Sequence, residues 1–361
     1  MRSSRPTRLW RPLSPPSRPD SPLRRLATVR RGAADESWHS GAIAVVTPAG
    51  QRLRSTGDVA LPVVVRSTIK PFQALPLLLA GGESAFSLTA ADLALICSSH
   101  SGTPEHRSRA RSLLERAGFT ESDLLCGAHR PLGEATARTE EPLGLPWTAL
   151  HNNCSGKHAG MLLACRLLDL DPVDYIAVDH PLQRAIAAEL AGILSLPQSF
   201  AACGIDGCSA PTFTLPLAGL ARGFALLAAS SSAEGAVGLP VGRGAALGRL
   251  TGAMASHPDM VAGPERFTSA LIAATSGRLV GKEGAEGVYA IAVRAPRPLG
   301  IAIKIADGSE RCRDVVVLEL LDRLELITAG ERQSLAAYDR PTLHNHRGLA
   351  VGEIAADFEL E

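Results

Sequence analysis

The placement of strand-like and helix-like stretches along the 361 residues constrains the fold more than any single motif. Near one end, Ala42–Val46, the turn Pro48-Ala49-Gly50 and Gln51–Arg54 read as a hairpin. Near the other, Val288–Val293 and Gly300–Ile305 read as a second hairpin around Pro296-Arg297-Pro298. Between them the helical period dominates. Helices are predicted from Pro104 to about Ala117 (with His106, Arg107, Arg109 and Arg111 outward), Ala159 to Leu168, Pro181 to Leu194 and Pro216 to Ala229. Further helical patterns cover about 241 to 255 and 264 to 275, Gly277 to Gly287 reads as a glycine-rich loop, and a final helix is predicted over about 314 to 327. Strands from both ends can share one sheet. The predicted class is therefore mixed α/β (α+β): an antiparallel sheet from both chain ends, with helices against it and a helical middle block.

Residues 1–27 stand apart, rich in Arg, Pro and Ser with little apolar periodicity. They read as a disordered tail ahead of a main domain over 28–361. No apolar core follows the tail's charges as in a secretory signal, and no run approaches the roughly 18 apolar residues of a membrane span. A net charge of +1 and an aromatic content of 4% give no pull toward nucleic acid or a membrane surface. Seven cysteines, an odd number without a paired framework, fit a reducing, cytoplasmic setting with thiols buried or metal-bound.

Within this frame one stretch carries chemistry. Val63-Val64-Val65 reads as a strand end, and Arg66-Ser67-Thr68-Ile69-Lys70 opens a helix. Serine and lysine three residues apart share a helix face. A serine hydroxyl needs a base within hydrogen-bond reach to act as a nucleophile. Lysine supplies one only if its pKa falls well below about 10.4. An ordinary helix start would show the same spacing. Composition weighs against that: of 37 basic residues only Lys70, Lys157, Lys282 and Lys304 are lysine. Arginine cannot give up its proton, so lysines retained in so Arg-rich a chain are candidates for deprotonation. Lys304, inside an apolar run, reads as an ordinary strand residue. The layout resembles the serine β-lactamase and penicillin-binding-protein fold, where S-x-x-K faces K-[ST]-G on an edge strand. Lys282-Glu283-Gly284 is a partial counterpart, with Glu283 in place of the hydroxyl residue.

Five segments together resemble the L-asparaginase II family of the Rhizobium type (class 3 L-asparaginases). They are Arg66–Gln73, Ser98-Ser99-His100-Ser101-Gly102, His151–Met161, Gly204-Ile205-Asp206-Gly207-Cys208 and Gly281-Lys282-Glu283-Gly284. The resemblance covers roughly 28 to 355, and His151-Asn152-Asn153-Cys154-Ser155-Gly156-Lys157-His158 is its most specific piece. It implies a β-lactamase-like fold, usually a homodimer, hydrolysing L-asparagine to L-aspartate and ammonia. It also implies two serine–lysine pairs, Ser67 with Lys70 and Ser99 with Lys282, and an accessory zinc ion held by Cys154, Lys157 and Cys208.

The residues themselves support these implications to different degrees. Two lysines in one pocket would depress each other's pKa. Cys154 and Lys157, at i and i+3 on a helix start, can point to one spot, with Cys208 arriving from a separate turn. Zinc or buried free thiols would both account for them. Arg66 and Asp206 could pair with the substrate's carboxylate and ammonium or with each other. His100 and His158 are further candidates for lining the pocket. Either serine could be the one acylated, with backbone N–H groups near Ser67 steadying the oxyanion. The rival classes are a β-lactamase-like hydrolase or peptidase acting on another amide, and a non-catalytic zinc-containing binding protein.

Overall fold

A computed structural model of the chain describes residues 22–197, 200, 203–230, 239–240 and 242–361. Its strands are β1 (Arg24–Arg31), β2 (Ala34–Val46), β3 (Arg52–Thr56), β4 (Pro62–Val64), β5 (Gly204–Ile205), β6 (Pro211–Thr212), β7 (Thr214–Pro216), β8 (Leu279–Gly284), β9 (Val288–Val293), β10 (Leu299–Ile305), β11 (Thr342–His344) and β12 (Ala350–Ala356). Eight of these form one sheet in the order β11-β12-β1-β2-β10-β9-β8, with β3 also pairing β2. Each pairing in it is antiparallel. Both chain ends feed this sheet and the intervening segment is mostly helical, as the layout predicts. No helix among the described residues is long and apolar enough to cross a membrane.

The period-two alternation of the central strands divides the core in two. Ala42, Ala44, Ala290, Ala292 and Ala302 face the helical block, whereas Ile43, Val45, Ile291, Ile301 and Ile303 face the helix Arg313–Arg323. The first face is built from small residues because the helix Leu217–Ala229 rides almost on the sheet backbone. A Cβ at Gly300 would stand 1.8 Å from the Ala221 carbonyl oxygen. Stacked beyond that helix are Ala90–Ile96, Ser155–Leu167, Pro181–Leu194 and Arg243–Ser256.

Four expectations are corrected. The boundary at residue 28 falls inside β1, where Leu26 and Ala27 are fully buried. Flanking arginines on both sides obscure that short apolar run. Residues 1–21 lie outside the described residues. The helix over 314–327 is not the last element, since β11 and β12 follow it and β12 completes the sheet against β1. The segment read as a glycine-rich loop contains β8, buried throughout. Within β8, Gly281 serves close packing rather than a turn: a Cβ there would lie 2.3 Å from the Tyr289 hydroxyl. Finally, His106 points inward, its Nδ1 accepting from Thr103 N at 3.2 Å in a capping arrangement at the helix start.

Candidate active site

The site lies where β8, at the sheet's edge, meets the helical block. β4 ends at Val64, and Val65 is tied to the Phe213 carbonyl at 3.0 Å. Arg66 then takes a left-handed conformation, φ +49°, a strained choice for arginine that redirects the chain into a 3-10 turn over Arg66–Ile69. The helix Lys70–Gln73 follows. A second route in is the helix Ala90–Ile96, started by a Thr89–Asp92 capping box. It delivers Ser98 and Ser99, and the Ser99 N–H is held by the Val261 carbonyl at 2.9 Å. The third route is β8 itself, which carries Lys282.

These three routes converge on one hydroxyl. Ser99 Oγ lies 2.7 Å from Lys282 Nζ and 3.0 Å from Lys70 Nζ. Lys70 also donates to the Ser98 carbonyl at 2.6 Å, and Lys282 to the Glu283 carbonyl at 2.8 Å. Both lysines are buried, at 1% and 0% exposure. Burial holds the Lys282 pKa well below the usual lysine value, and the positive charge of Lys70 lowers it further. The amine at Lys282 is thus disposed to be neutral and to accept the Ser99 proton.

Ser67 stands differently. It lines the same cavity but makes no side-chain hydrogen bond among the described residues. The expected Ser67–Lys70 pairing is replaced by two amines on Ser99, because the Lys70 side chain is drawn to the Ser98–Ser99 turn.

The cavity holds about 450 Å³, and its walls include Ser67, Ser99, His129, Asn153, Arg266 and Glu283. A larger cleft of about 590 Å³, against the helix Pro181–Leu194, is lined largely by Ala187, Ala191, Leu196 and Phe213 and holds no nucleophile–base pair. Arg66 and Asp206 both reach the reactive cavity, bonded to each other, Nε to Oδ1 at 2.7 Å. His100 and His158 do not line it. Both are fully buried, His100 between the Gly102 N–H and the Ser155 hydroxyl, and His158 against the Tyr175 hydroxyl at 2.6 Å.

Cys154, Lys157 and Cys208 gather beside the cavity. Lys157 Nζ lies 3.0 Å from Cys208 Sγ. The Cys154 thiol donates to Asn153 Oδ1 at 3.2 Å; its nearness to Cys208 lowers the Cys208 pKa, and Lys157 lowers it further. The adjacent Cys208 sulfur, and then burial, push Cys154 up. Burial alone would lower Lys157, but the negative charge at Cys208 raises it. The trio is a thiolate–ammonium cluster carrying two sulfur donors and one nitrogen. Among the described residues no three His, Cys, Asp or Glu side chains form a metal-holding group, so a zinc site here depends on Lys157. Two thiols are the donors zinc prefers, and Nε2 of neighbouring His158 is buried without a hydrogen-bond partner. The two thiols, together with Lys157 once it gives up its proton, make a donor set that fits the ion.

The sequence reading missed Arg266, Arg313, Glu310 and His129 as cavity residues. Nothing distinguishes those arginines from the many others in the chain. Glu283 was visible only as a departure from the K-[ST]-G pattern. Its carboxylate pairs with Arg266 and lies 3.6 Å from Arg313. Burial would raise its pKa, but Arg266, then Arg313 and Lys282, bring it down to about 2.

A sequence model of the family described as L-asparaginase II matches residues 27–356, nearly the whole chain. No curated protein matches it. Among solved structures, the chain is similar to Mglu in its glutamate form at 16% identity and a TM-score of 0.34, with 79% of this chain covered. It spans 61% of the length of that protein. It is also similar to a beta-lactamase from Mycobacterium bovis, at 17% identity and a TM-score of 0.35, over 82% of this chain and 94% of that one.

Proposed function

The chain belongs to the L-asparaginase II family, and on that premise we propose that it hydrolyses the side-chain amide of L-asparagine to L-aspartate and ammonia. The observation that carries the reading is Ser99 Oγ held between two buried lysine amines in a polar cavity. Ser99 Oγ attacks the amide carbon as its proton passes to Lys282 Nζ. The tetrahedral intermediate collapses, the C–N bond breaks, and the lysine proton leaves with ammonia. Water then attacks the ester, giving its proton to Lys282, and aspartate departs as Ser99 regains a proton. Lys70 donates to Ser99 Oγ throughout and supports the negative charge that develops there. Ser67, with its hydroxyl free in the cavity, is placed to contact the amide or to relay a proton.

Ammonia release by the purified protein tests this. L-asparagine is expected to be turned over, and a chromogenic β-lactam is not. Steady β-lactam turnover without asparagine hydrolysis would move the assignment to a penicillin-recognising hydrolase. Sedimentation of the same preparation tests the expected homodimer.

We also propose that Cys154, Lys157 and Cys208 hold zinc. When bound, the ion would bring a localised positive charge beside the cavity. Metal analysis is expected to find about one zinc per chain, lost in Cys208→Ser, since a thiolate is the stronger zinc donor. Equal zinc in wild type and variant would remove Cys208 as a ligand.

A further inference from the structure

We infer that Arg266 is the residue that receives the α-carboxylate of the substrate, and that Glu283 and Arg313 hold it in position; this rests on the amino-acid amide reading above. The cation suggested by the motifs, Arg66, is already engaged, its Nε donating to Asp206 at 2.7 Å. Arg266 is not. Among the described residues its guanidinium makes one hydrogen bond, from Nη2 to Glu283 Oε1, and Nη1 is buried with no partner. An arginine has five N–H donors in a flat fork. A buried donor left unmet is costly, and a carboxylate is the group whose geometry satisfies two guanidinium donors at once. Arg266 lines the same cavity as Ser99. Its charge is among those that lower the Lys282 pKa, so the two lie within electrostatic reach. Asparagine's carboxylate and amide carbon are separated by only Cα and Cβ, so one cavity can hold both ends.

The surroundings explain why Arg266 is available. It precedes the helix Phe267–Ala274 and reaches Glu283 from one side. Arg313, at the start of the helix Arg313–Arg323, faces the other oxygen of Glu283 at 3.6 Å. Arg313 is further held by Asp314 at 2.9 Å, lies 3.6 Å from Glu310, and packs over the Tyr289 ring. Arg313 Nη1 is likewise buried without a hydrogen-bond partner, but Glu283, Asp314 and Glu310 surround that guanidinium, whereas Arg266 shares a single carboxylate. Glu283, the residue that breaks the K-[ST]-G pattern, here fixes the orientation of a binding arginine beside the catalytic lysine. Glu283 and Arg313 are positioning residues; Arg266 is the binding one.

The test compares L-asparagine with 3-aminopropanamide, the same amide without its carboxylate, in wild type, Arg266→Gln and Arg266→Lys. Arg266→Gln is expected to raise KM for asparagine about 10- to 100-fold, the worth of a charged hydrogen-bond pair, with a smaller change in kcat. The loss on 3-aminopropanamide should be at least about tenfold smaller. Arg266→Lys keeps the charge beside Glu283, guarding against simple misfolding, and should recover part of the KM because lysine cannot bind bidentately. Equal losses on both substrates, or an unchanged asparagine KM, would overturn the inference. A second arm needs no turnover: L-aspartate titrated calorimetrically into Ser99→Ala, with and without Arg266→Gln. Weakening of tenfold or more in the double variant sustains the carboxylate site even if wild type releases no ammonia, in which case the amidase reading alone falls. Undetectable aspartate binding to Ser99→Ala, or equal binding by both proteins, sinks the site.

Discussion

Ser99→Ala is expected to lower the rate of asparagine hydrolysis by roughly 10⁴- to 10⁶-fold, the scale at which loss of a serine nucleophile is felt in a serine hydrolase. Ser67→Ala is expected to retain a readily measured rate. The two serines differ in one physical respect. Ser99 Oγ has amines at 2.7 and 3.0 Å, so a proton acceptor is in place before substrate arrives. Ser67 Oγ has no such partner among the described residues, and an unassisted hydroxyl is a poor nucleophile at neutral pH. Ser99→Ala removes a small buried hydroxyl and should leave the fold intact, which the far-ultraviolet circular dichroism of the variant checks. Single-turnover ammonia release, with mass spectrometry of the peptide bearing the acyl group, reads the assignment directly. An acyl group on Ser67, or near-normal turnover by Ser99→Ala, would reverse the roles of the two residues.

Lys282→Met should reduce kcat by about 10²- to 10⁴-fold, the usual scale for loss of a general base, and at the same time raise thermal stability. The second half follows from linkage. The Lys282 pKa is depressed in the folded state, first by burial and then by Lys70, while in the unfolded chain it sits near the ordinary value of about 10.4. Between those two values the unfolded state carries the extra proton. The folded state is therefore penalised increasingly as pH falls from about 10.4 to the folded pKa, and by a constant amount below it. Methionine fills a similar volume without that penalty. The stability advantage of Lys282→Met over wild type should accordingly grow as pH is lowered through this window and then level off. Activity runs the other way: kcat/KM needs the neutral amine and should fall as pH drops through the folded pKa. Lys70→Met, besides removing a contact to Ser99, should shift that acid limb to higher pH by taking away the neighbouring charge. Melting curves and pH–rate profiles for the three proteins check both halves. A wild-type acid limb unmoved by Lys70→Met would show that burial alone sets the Lys282 pKa.

A stability cost borne by the reactive residue fits its placement on β8. This strand lies at the sheet's edge but is buried along its whole length by the helical block, so its lysine is desolvated without being deep in the central core. The same burial makes Glu283 dependent on Arg266 and Arg313, since an unpaired carboxylate there would be far costlier than a paired one.

The layout of the sheet, most of the helical middle and the lysines that meet Ser99 were legible because the signals are local. Ala42–Val46 and Gly300–Ile305 alternate within half a dozen residues, and Ser67-Thr68-Ile69-Lys70 declares its helix start in four. The scarcity of lysine marked Lys70, Lys157, Lys282 and Lys304, and the apolar run around Lys304 set that one aside. β8 was misread for an equally local reason: its glycines, which let Tyr289 approach, carry the same letters as a loop. What local pattern cannot express is which side chains meet. Ser99 and Lys282 are 183 positions apart, and their contact exists only because β8 forms the edge of a sheet that also takes strands from the other chain end. That folding turned Lys70 toward Ser99 instead of Ser67, buried His100 and His158 behind the wall, and brought Arg266 and Arg313 to opposite sides of Glu283. Sequence by itself determined the elements and the reactive residue types, since periodicity and composition act over short stretches. Tertiary structure alone decided the pairing of serine with base and of arginine with carboxylate, because burial and charge proximity arise only when distant elements pack.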